Sequence, residues 1–189
     1  KRIISIVLVC LMATMSMTAK VRKNKAPVKI TCIGASITEG AMTANPATDS
    51  YPAQLGRMLG ERYVVSNFGV GGCTMLRKGD CPYWEKEAYQ QALASEPDIV
   101  FIDLGGNDSK AVNRVHMDEF VKDACEMIAS FQNLPTKPRI IVLTPIVSFV
   151  EDSNGIYDEV ICSKVSPKTI EAADRMRVEV LDMHSVLNR

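Results

Sequence analysis

The sequence has no excess charge of either sign. Its 22 lysine and arginine residues balance 22 aspartate and glutamate residues, so the formal net charge at pH 7 is zero. It also has no basic stripe, internal repeat or low-complexity tract. Domains that bind nucleic acid or anionic membranes generally carry a basic patch that neutralises phosphates. The composition therefore gives no support to a nucleic-acid partner.

Histidine is scarce, and the cysteines lack the spacing of a metal site. The chain has two histidines and six cysteines, and none of their spacings matches a zinc site. Its glycine-rich stretches match neither G-x-x-x-x-G-K-[ST] nor G-x-G-x-x-G. We therefore expect no metal and no cofactor. Cys73 and Cys81 are close enough in sequence to be a candidate disulfide pair, whereas Cys32 and Cys125 are expected to be small buried side chains.

No apolar run at the start of the chain reaches the about 20 residues that a membrane-spanning helix needs. A positively charged start precedes a shorter apolar run, small residues follow up to Ala19, and a basic polar stretch comes next. This order is typical of a secretory signal peptide. We predict a signal peptide over residues 1–19, a linker over 20–27, and an exported protein, periplasmic or secreted, without membrane attachment after signal removal. A lipid anchor on Cys10 is a less favoured alternative, because the residue before it is not small.

Nearly continuous apolar, β-branched runs recur along the rest of the chain. They lie at residues 28–35, 98–106, 139–146 and 177–183, with a weaker fifth run at 63–70. Strands that are covered on both faces, as in a parallel sheet, have this composition. Segments with helical periodicity lie between the runs, at residues 50–60, 83–94, 118–131 and 167–176.

The alternation of strands and helices predicts an α/β fold with right-handed crossovers. Five such strands fit a flavodoxin-like three-layer sandwich, with a parallel sheet in the order 2-1-3-4-5. Residues 147–166 have no clean periodicity. Long excursions of this kind border binding sites more often than they belong to a core. We therefore expect this segment to lie beside the site.

Glycine-bearing loops with small polar residues follow the first three predicted strands. They read GASITEG (34–40), NFGVGGCT (67–74) and LGGNDS (104–109). In an open parallel sheet, the loops at the carboxyl ends of the strands form the ligand site. Acyl transfer needs a nucleophile and hydrogen-bond donors aimed at a developing oxyanion. Ser36 is a candidate nucleophile, and its N–H, the Gly72 N–H and the Asn107 amide are candidate donors.

Each of these residues also has an ordinary structural interpretation. Ser36 could cap a helix, Gly72 could form a turn, and Asn107 could bond to its own backbone in a turn. Any one of the three taken alone favours that interpretation. The order of the loops brings all three to one edge of the sheet, and this convergence favours a site.

The three loops resemble the first three sequence blocks of the SGNH (GDSL-type) hydrolases. Residues 34–38 (GASIT) match the first block, with Ala35 where many members have aspartate. Residues 67–74 and 105–108 (GGND) match the second and third blocks, and the resemblance covers about residues 28–189. It implies Ser36 as the nucleophile, with Gly72 and Asn107 in the oxyanion hole.

The longer sequence around the second and third blocks is similar to that of exported bacterial esterase domains described as sialate O-acetylesterase-like. This likeness implies a serine esterase that hydrolyses short, acetyl-like esters on carbohydrate, with a small-molecule or glycan ester as its substrate. Two alternatives stay open: a carbohydrate-binding module that kept the fold without the chemistry, and a lipase or lysophospholipase of the same family. Tyr83 and Trp84 could stack on a sugar, although packing of the following helix is the favoured interpretation. The oligomeric state is open.

The sequence lacks the block that supplies the catalytic base in the family it resembles. The family takes its base from an Asp-x-x-His block near the C-terminus, and this sequence contains no Asp-x-x-His. We therefore expect the domain at 28–189 to be truncated before that block and the last elements of the fold. His184, two residues after Asp182, is a less favoured base, and His116 is weaker still.

Overall fold

A computed structural model describes residues 26–187 of the chain. The predicted signal peptide and Cys10 lie outside the described residues, as does the predicted linker except for its last two residues. None of the helices within residues 26–187 combines the length and the apolar character that crossing a membrane requires.

The core of the fold is a five-stranded sheet in which every neighbouring pair of strands is parallel. The strand order is β2-β1-β3-β4-β5, so the predicted 2-1-3-4-5 sheet is confirmed. The strands are Val28–Gly34 (β1), Tyr63–Gly69 (β2), Ile99–Asp103 (β3), Arg139–Leu143 (β4) and Glu179–Leu181 (β5). The weakest predicted run, 63–70, is thus a full edge strand. The order reverses between β1 and β3, which places the ligand-binding crevice at their carboxyl ends.

Helices connect the strands. They are Ser36–Glu39 (α1), Pro46–Asp49 (α2), Tyr51–Leu59 (α3), Glu87–Ala94 (α4), Ala111–Arg114 (α5), Phe120–Gln132 (α6), Asp158–Val160 (α7), Ser166–Met176 (α8) and Met183–Leu187 (α9). Short 3₁₀ turns lie at Tyr83–Glu85 and Asn107–Ser109. The four predicted helices correspond to α3, α4, α6 and α8.

Helix α3 shows how local sequence sets these boundaries. Ser50 occupies the N-cap and accepts a hydrogen bond from the Ala53 N–H, and Pro52 lies in the first turn. Gly60 ends the helix with a φ of 74°, a conformation that costs glycine little. The helix start at Ser50 and the helix end at Gly60, which the sequence of residues 50–60 predicts, are therefore confirmed.

The sheet carries helices on both faces, which makes the three layers. On one face, Ile33, Val100 and Ile102 are fully buried in a single cluster with Phe131 of α6 and residues of α4 and α8. On the other face, Cys32 is buried near Tyr51 of α3. The prediction of Cys32 as a small buried side chain is confirmed, whereas Cys125 on α6 is only partly buried. Strands covered on both sides explain why the runs are apolar at consecutive positions.

The segment 147–166 differs in part from its prediction as an irregular excursion. Its last nine residues are helical, because α7 continues through a π-helical turn at Ile161–Val165 directly into α8. A π turn adds a residue to the helical repeat and so breaks the 3.6-residue pattern. The sequence therefore lacks the periodicity by which a helix is recognised, although the backbone is helical.

Candidate active site

Ser36 stands at the carboxyl end of β1, as the first residue of α1. The turn depends on Gly34, because a Cβ at that position would lie 2.0 Å from Thr38 Oγ1 and 2.7 Å from the Asp103 carbonyl oxygen. The N-cap of α1 is Ala35, so Ser36 is not the helix cap. Its side chain is half-buried and lines a cavity of about 260 Å³. The hydroxyl is thus presented to a cavity at the switch point of the sheet.

The loop after β2 lies directly beside Ser36. A Cβ built at Gly71 would lie 4.0 Å from Ser36 Cβ. Gly72 has a φ of 80°, a conformation that favours glycine, and a Cβ there would meet no atom within 4 Å. Among residues 26–187, the Gly72 N–H has no hydrogen-bond acceptor. It is therefore an unused donor in a loop that lies beside Ser36.

Asn107 begins the 3₁₀ turn after β3 and lines the same cavity as Ser36. Its side chain is buried, and its Nδ2 donates to the Cys73 carbonyl oxygen at 3.0 Å. Its backbone carbonyl accepts a hydrogen bond from Asn113 Nδ2 at 2.8 Å. One of the two Nδ2 hydrogens is thus used for orientation, which leaves the second for a ligand.

A buried carboxylate ties the second loop to the third. Asp108 Oδ2 accepts the Met75 N–H at 3.0 Å, and Asp108 Oδ1 accepts the Leu76 N–H at 2.7 Å. The side chain is fully buried, and this burial raises the pKa of Asp108 to about 6, although the backbone donors act in the opposite direction. The pairing fixes the distance between the loops that carry Gly72 and Asn107.

Two further contacts join the first loop to its neighbours. Asn67 Nδ2 donates to the Thr38 carbonyl oxygen at 2.7 Å, and Thr38 Oγ1 donates to Asp103 Oδ2 at 2.9 Å. Asp103 lines the cavity next to Ser36, and desolvation raises its pKa to about 6. The α1 turn is therefore held from the side of β2 and from the side of β3.

The opposite wall of the cavity comes from the segment after β4. Its lining is mainly apolar and runs from Pro145 to Val150, with Ile156 and Ile161. Phe149 lies at the mouth with 86% of its surface exposed. The segment is held by Ser148, whose N–H donates to Asp158 Oδ1 and whose hydroxyl donates to the Ile156 carbonyl oxygen. The expectation that this segment borders the site is confirmed.

Tyr83 and Trp84 pack in the protein and are not free to stack on a sugar. Tyr83 is fully buried, and its hydroxyl donates to the Phe68 carbonyl oxygen. The Trp84 Nε1–H donates to the Met75 carbonyl oxygen, and the Arg77 guanidinium covers its ring at 3.5 Å. The packing interpretation is therefore correct. The exposed aromatic residue at the site is Phe149, which sequence reasoning missed because it lies in an aperiodic segment.

Neither histidine is placed as the base of Ser36. His184 is buried, and its Nε2 lies 3.0 Å from Asp158 Oδ1, the oxygen that also accepts the Ser148 N–H. Within residues 26–187, no hydrogen bond joins either histidine side chain to Ser36, and His116 does not line the cavity. His184 supports the segment behind the cavity wall through Asp158.

Comparison with known families matches nearly the whole described chain. The model of the GDSL-like lipase/acylhydrolase family matches residues 32–189. An acetylxylan esterase from Xylanibacter ruminicola is 37% identical over 177 residues, in a match that covers 85% of this chain. The match covers 37% of that relative, so the chain spans little more than a third of its length.

Solved structures with the same fold include two esterases. A carbohydrate acetylesterase from Sinorhizobium meliloti, Est24, superposes with a TM-score of 0.62 and 20% identity, over 82% of this chain and 83% of that one. A putative arylesterase from Agrobacterium tumefaciens superposes with a TM-score of 0.68 and 19% identity, over 84% and 85% of the two chains. At this level of identity the similarity concerns the fold.

Proposed function

Because this chain belongs to the GDSL-like lipase/acylhydrolase family, an SGNH-type hydrolase family, we propose that it is a serine esterase. It removes short acyl groups from carbohydrate through a Ser36 acyl-enzyme. The observation that carries the proposal is a cavity lined by the half-buried Ser36 and the oriented Asn107 amide, with the unused Gly72 N–H in the loop beside Ser36. This is the arrangement that acyl transfer requires.

In the proposed mechanism, Ser36 Oγ attacks the carbonyl carbon of the ester. The carbonyl oxygen becomes an oxyanion, which accepts hydrogen bonds from the N–H groups of Ser36 and Gly72 and from Asn107 Nδ2. Collapse of this intermediate releases the alcohol and leaves the acyl group on Ser36. Water then attacks the acyl carbonyl carbon and releases the carboxylic acid.

The proton of Ser36 needs an acceptor. His184 Nε2 is engaged with Asp158, so we do not assign that role to His184. The family resemblance implies an Asp-x-x-His block as the acceptor, and we propose that such a block, outside this sequence, acts in the whole protein. Export to the periplasm or the medium is likewise a proposal, supported by the N-terminal charge and hydropathy pattern.

The cavity and the relatives favour a short acyl group on a sugar. The cavity of about 260 Å³ is smaller than the roughly 300 to 1,000 Å³ typical of sites for drug-sized ligands. The acetylxylan esterase relative and the carbohydrate acetylesterase of the same fold bear names of enzymes that act on acetylated carbohydrate. A small acyl site that opens toward an exposed aromatic ring fits such a substrate.

A series of nitrophenyl esters tests the proposed acyl specificity. With the full-length protein, we expect acetyl and propionyl esters to be hydrolysed fastest, and kcat/KM to fall at least about tenfold by octanoyl, because the small cavity rejects added methylenes. Higher rates on octanoyl esters would support the lipase alternative. Absence of hydrolysis of every ester, together with retained glycan binding, would support the non-catalytic module.

Phe149 is expected to contribute to binding of the sugar. Replacing Phe149 by Ala removes an exposed aromatic face at the mouth of the cavity, so KM for an acetylated xylo-oligosaccharide should rise roughly 3- to 10-fold, equivalent to about 1 kcal/mol. The KM for nitrophenyl acetate should stay unchanged, since that ester lacks the sugar chain. Met58→Ala, at a similarly exposed apolar residue of α3, is the matched control. Equal KM values for the glycan ester in Phe149→Ala and wild type would show that Phe149 does not contribute to binding of the sugar.

A further inference from the structure

Two cysteine sulphurs are in contact next to the proposed oxyanion donors. Cys73 Sγ and Cys81 Sγ are 3.5 Å apart, and both residues are free thiols. No other pair of cysteines in the described part of the chain is joined in this way. Cys73 directly follows Gly72, and its carbonyl oxygen accepts the orienting hydrogen bond from Asn107.

The backbone keeps the two sulphurs together. The Thr74 N–H donates to the Cys81 carbonyl oxygen at 2.9 Å, and the Tyr83 N–H donates to the Thr74 carbonyl oxygen at 3.1 Å. These bonds close the segment 73–83 into a tight loop. The sulphurs need to approach by only about 1.5 Å to reach a bond length of about 2.05 Å.

The two thiols have different environments, which gives them different roles. Cys81 is partly exposed, and its proximity raises the pKa of Lys86. Partial exposure lets a reagent reach the Cys81 thiol. Cys73 is fully buried, and burial raises its pKa to about 12. Cys81 is therefore the sulphur that meets an oxidant, and Cys73 is the resolving partner.

We propose that Cys73 and Cys81 form a disulfide that locks the oxyanion loop, with a small-molecule or protein disulfide as the oxidant. The Cys81 thiolate attacks one sulphur of the oxidant, whose S–S bond breaks and whose other sulphur leaves as a thiolate. Cys73 then gives up its proton to solvent and attacks Cys81 Sγ, which expels the second sulphur of the oxidant. Two protein thiols are oxidised, and one disulfide is reduced to two thiols.

The expected effect of this disulfide on catalysis rests on the proposed esterase function. The cross-link closes a loop of about nine residues that begins immediately after Gly72 and includes the carbonyl group that orients Asn107. Loop closure restricts the unfolded chain, and it also limits the motion of the donors in the folded protein. Reduction should therefore loosen the oxyanion hole and lower kcat without changing the cavity that binds the acyl group.

Peptide mapping after oxidation tests the disulfide directly. Oxidised glutathione is added to the folded full chain, remaining thiols are alkylated, and the protein is digested with trypsin without reductant. Cleavage at Arg62, Arg77, Lys78 and Lys86 separates the cysteines into peptides 63–77 and 79–86. We expect these two peptides to be recovered as one cross-linked species. The Tm of the oxidised protein should exceed that of the reduced protein by about 5 °C.

Serine variants show which two cysteines form the cross-link. Cys73→Ser and Cys81→Ser should each abolish the cross-linked species and make Tm independent of reductant, whereas Cys125→Ser and Cys162→Ser should change neither. Recovery of both peptides in alkylated form, or of glutathione that stays on Cys81, would overturn the proposal. Mass and Tm do not depend on ester hydrolysis, so failure of the disulfide and failure of the proposed activity are separately visible.

Discussion

Replacing Ser36 by Ala in the full-length protein should lower kcat/KM for nitrophenyl acetate by at least about 10⁴-fold. The variant lacks the only atom that can form the acyl-enzyme in the proposed mechanism, while the oxyanion donors remain. Ser36 is half-buried at a cavity wall and does not cap α1, so the loss of its hydroxyl should change Tm little. Initial rates and Tm measured on the same preparation separate these two effects.

Ser130→Ala is the matched control for this variant. Ser130 is partly buried on α6, and its hydroxyl bonds to the Met127 carbonyl oxygen of the same helix, away from the cavity. Its activity should equal that of the wild type. A fluorophosphonate should also add covalently to the wild type and to Ser130→Ala but not to Ser36→Ala. Hydrolysis by Ser36→Ala at the wild-type rate would reject Ser36 as the nucleophile.

Replacing Asn107 by Ala should lower kcat by about 10²- to 10³-fold, the usual effect of removing one oxyanion donor, with KM nearly unchanged. The amide bonds more strongly to the oxyanion of the transition state than to the carbonyl oxygen of the bound ester. Its removal therefore lowers kcat and leaves KM nearly unchanged. The variant also loses the bond to the Cys73 carbonyl oxygen, which should lower the free energy of unfolding by about 1 kcal/mol.

Two further variants make the Asn107 result decisive. Asn107→Asp keeps the size of the side chain but replaces the donor by a carboxylate that repels the oxyanion, so its kcat should be at or below that of Asn107→Ala. Asn133→Ala, at an exposed residue that follows α6, should retain full activity. A folded Asn107→Ala variant with wild-type kcat would exclude the amide from the oxyanion hole. In the double variant with Ser36→Ala, the two losses should not add, because both residues act on the same intermediate.

The strands could be predicted, and three candidate site residues could be identified, because their signals lie at adjacent positions in the sequence. Strands buried on both faces need apolar, β-branched residues at consecutive positions, and the runs at 28–35 and 139–146 show this directly. Ser36, Gly72 and Asn107 were identified because topology brings the loops after parallel strands to one edge of the sheet. Loop order alone therefore predicted that they meet.

The contacts that hold the site depend on side chains far apart in the sequence. Asp108 bonds to the backbone of Met75 and Leu76, 32 to 33 residues earlier, and His184 pairs with Asp158, 26 residues away. No periodicity or spacing indicates such partners. The helical end of the segment 147–166 was missed for another reason, because its π turn removes the repeat by which a helix is recognised.

The sequence by itself determined the α/β class and identified Ser36 and two partner loops as a candidate site, because burial patterns and turn residues lie at adjacent positions. The strands fit the order 2-1-3-4-5, and the tertiary structure fixed that order. Only the tertiary structure showed which aromatic ring faces the cavity, because Tyr83 and Phe149 are both aromatic and the buried one cannot be told from the exposed one by residue type. It also decided that Cys73 and Cys81 touch, and that His184 is held by Asp158 instead of facing Ser36. These outcomes depend on how distant segments pack, and packing is a property of the whole fold.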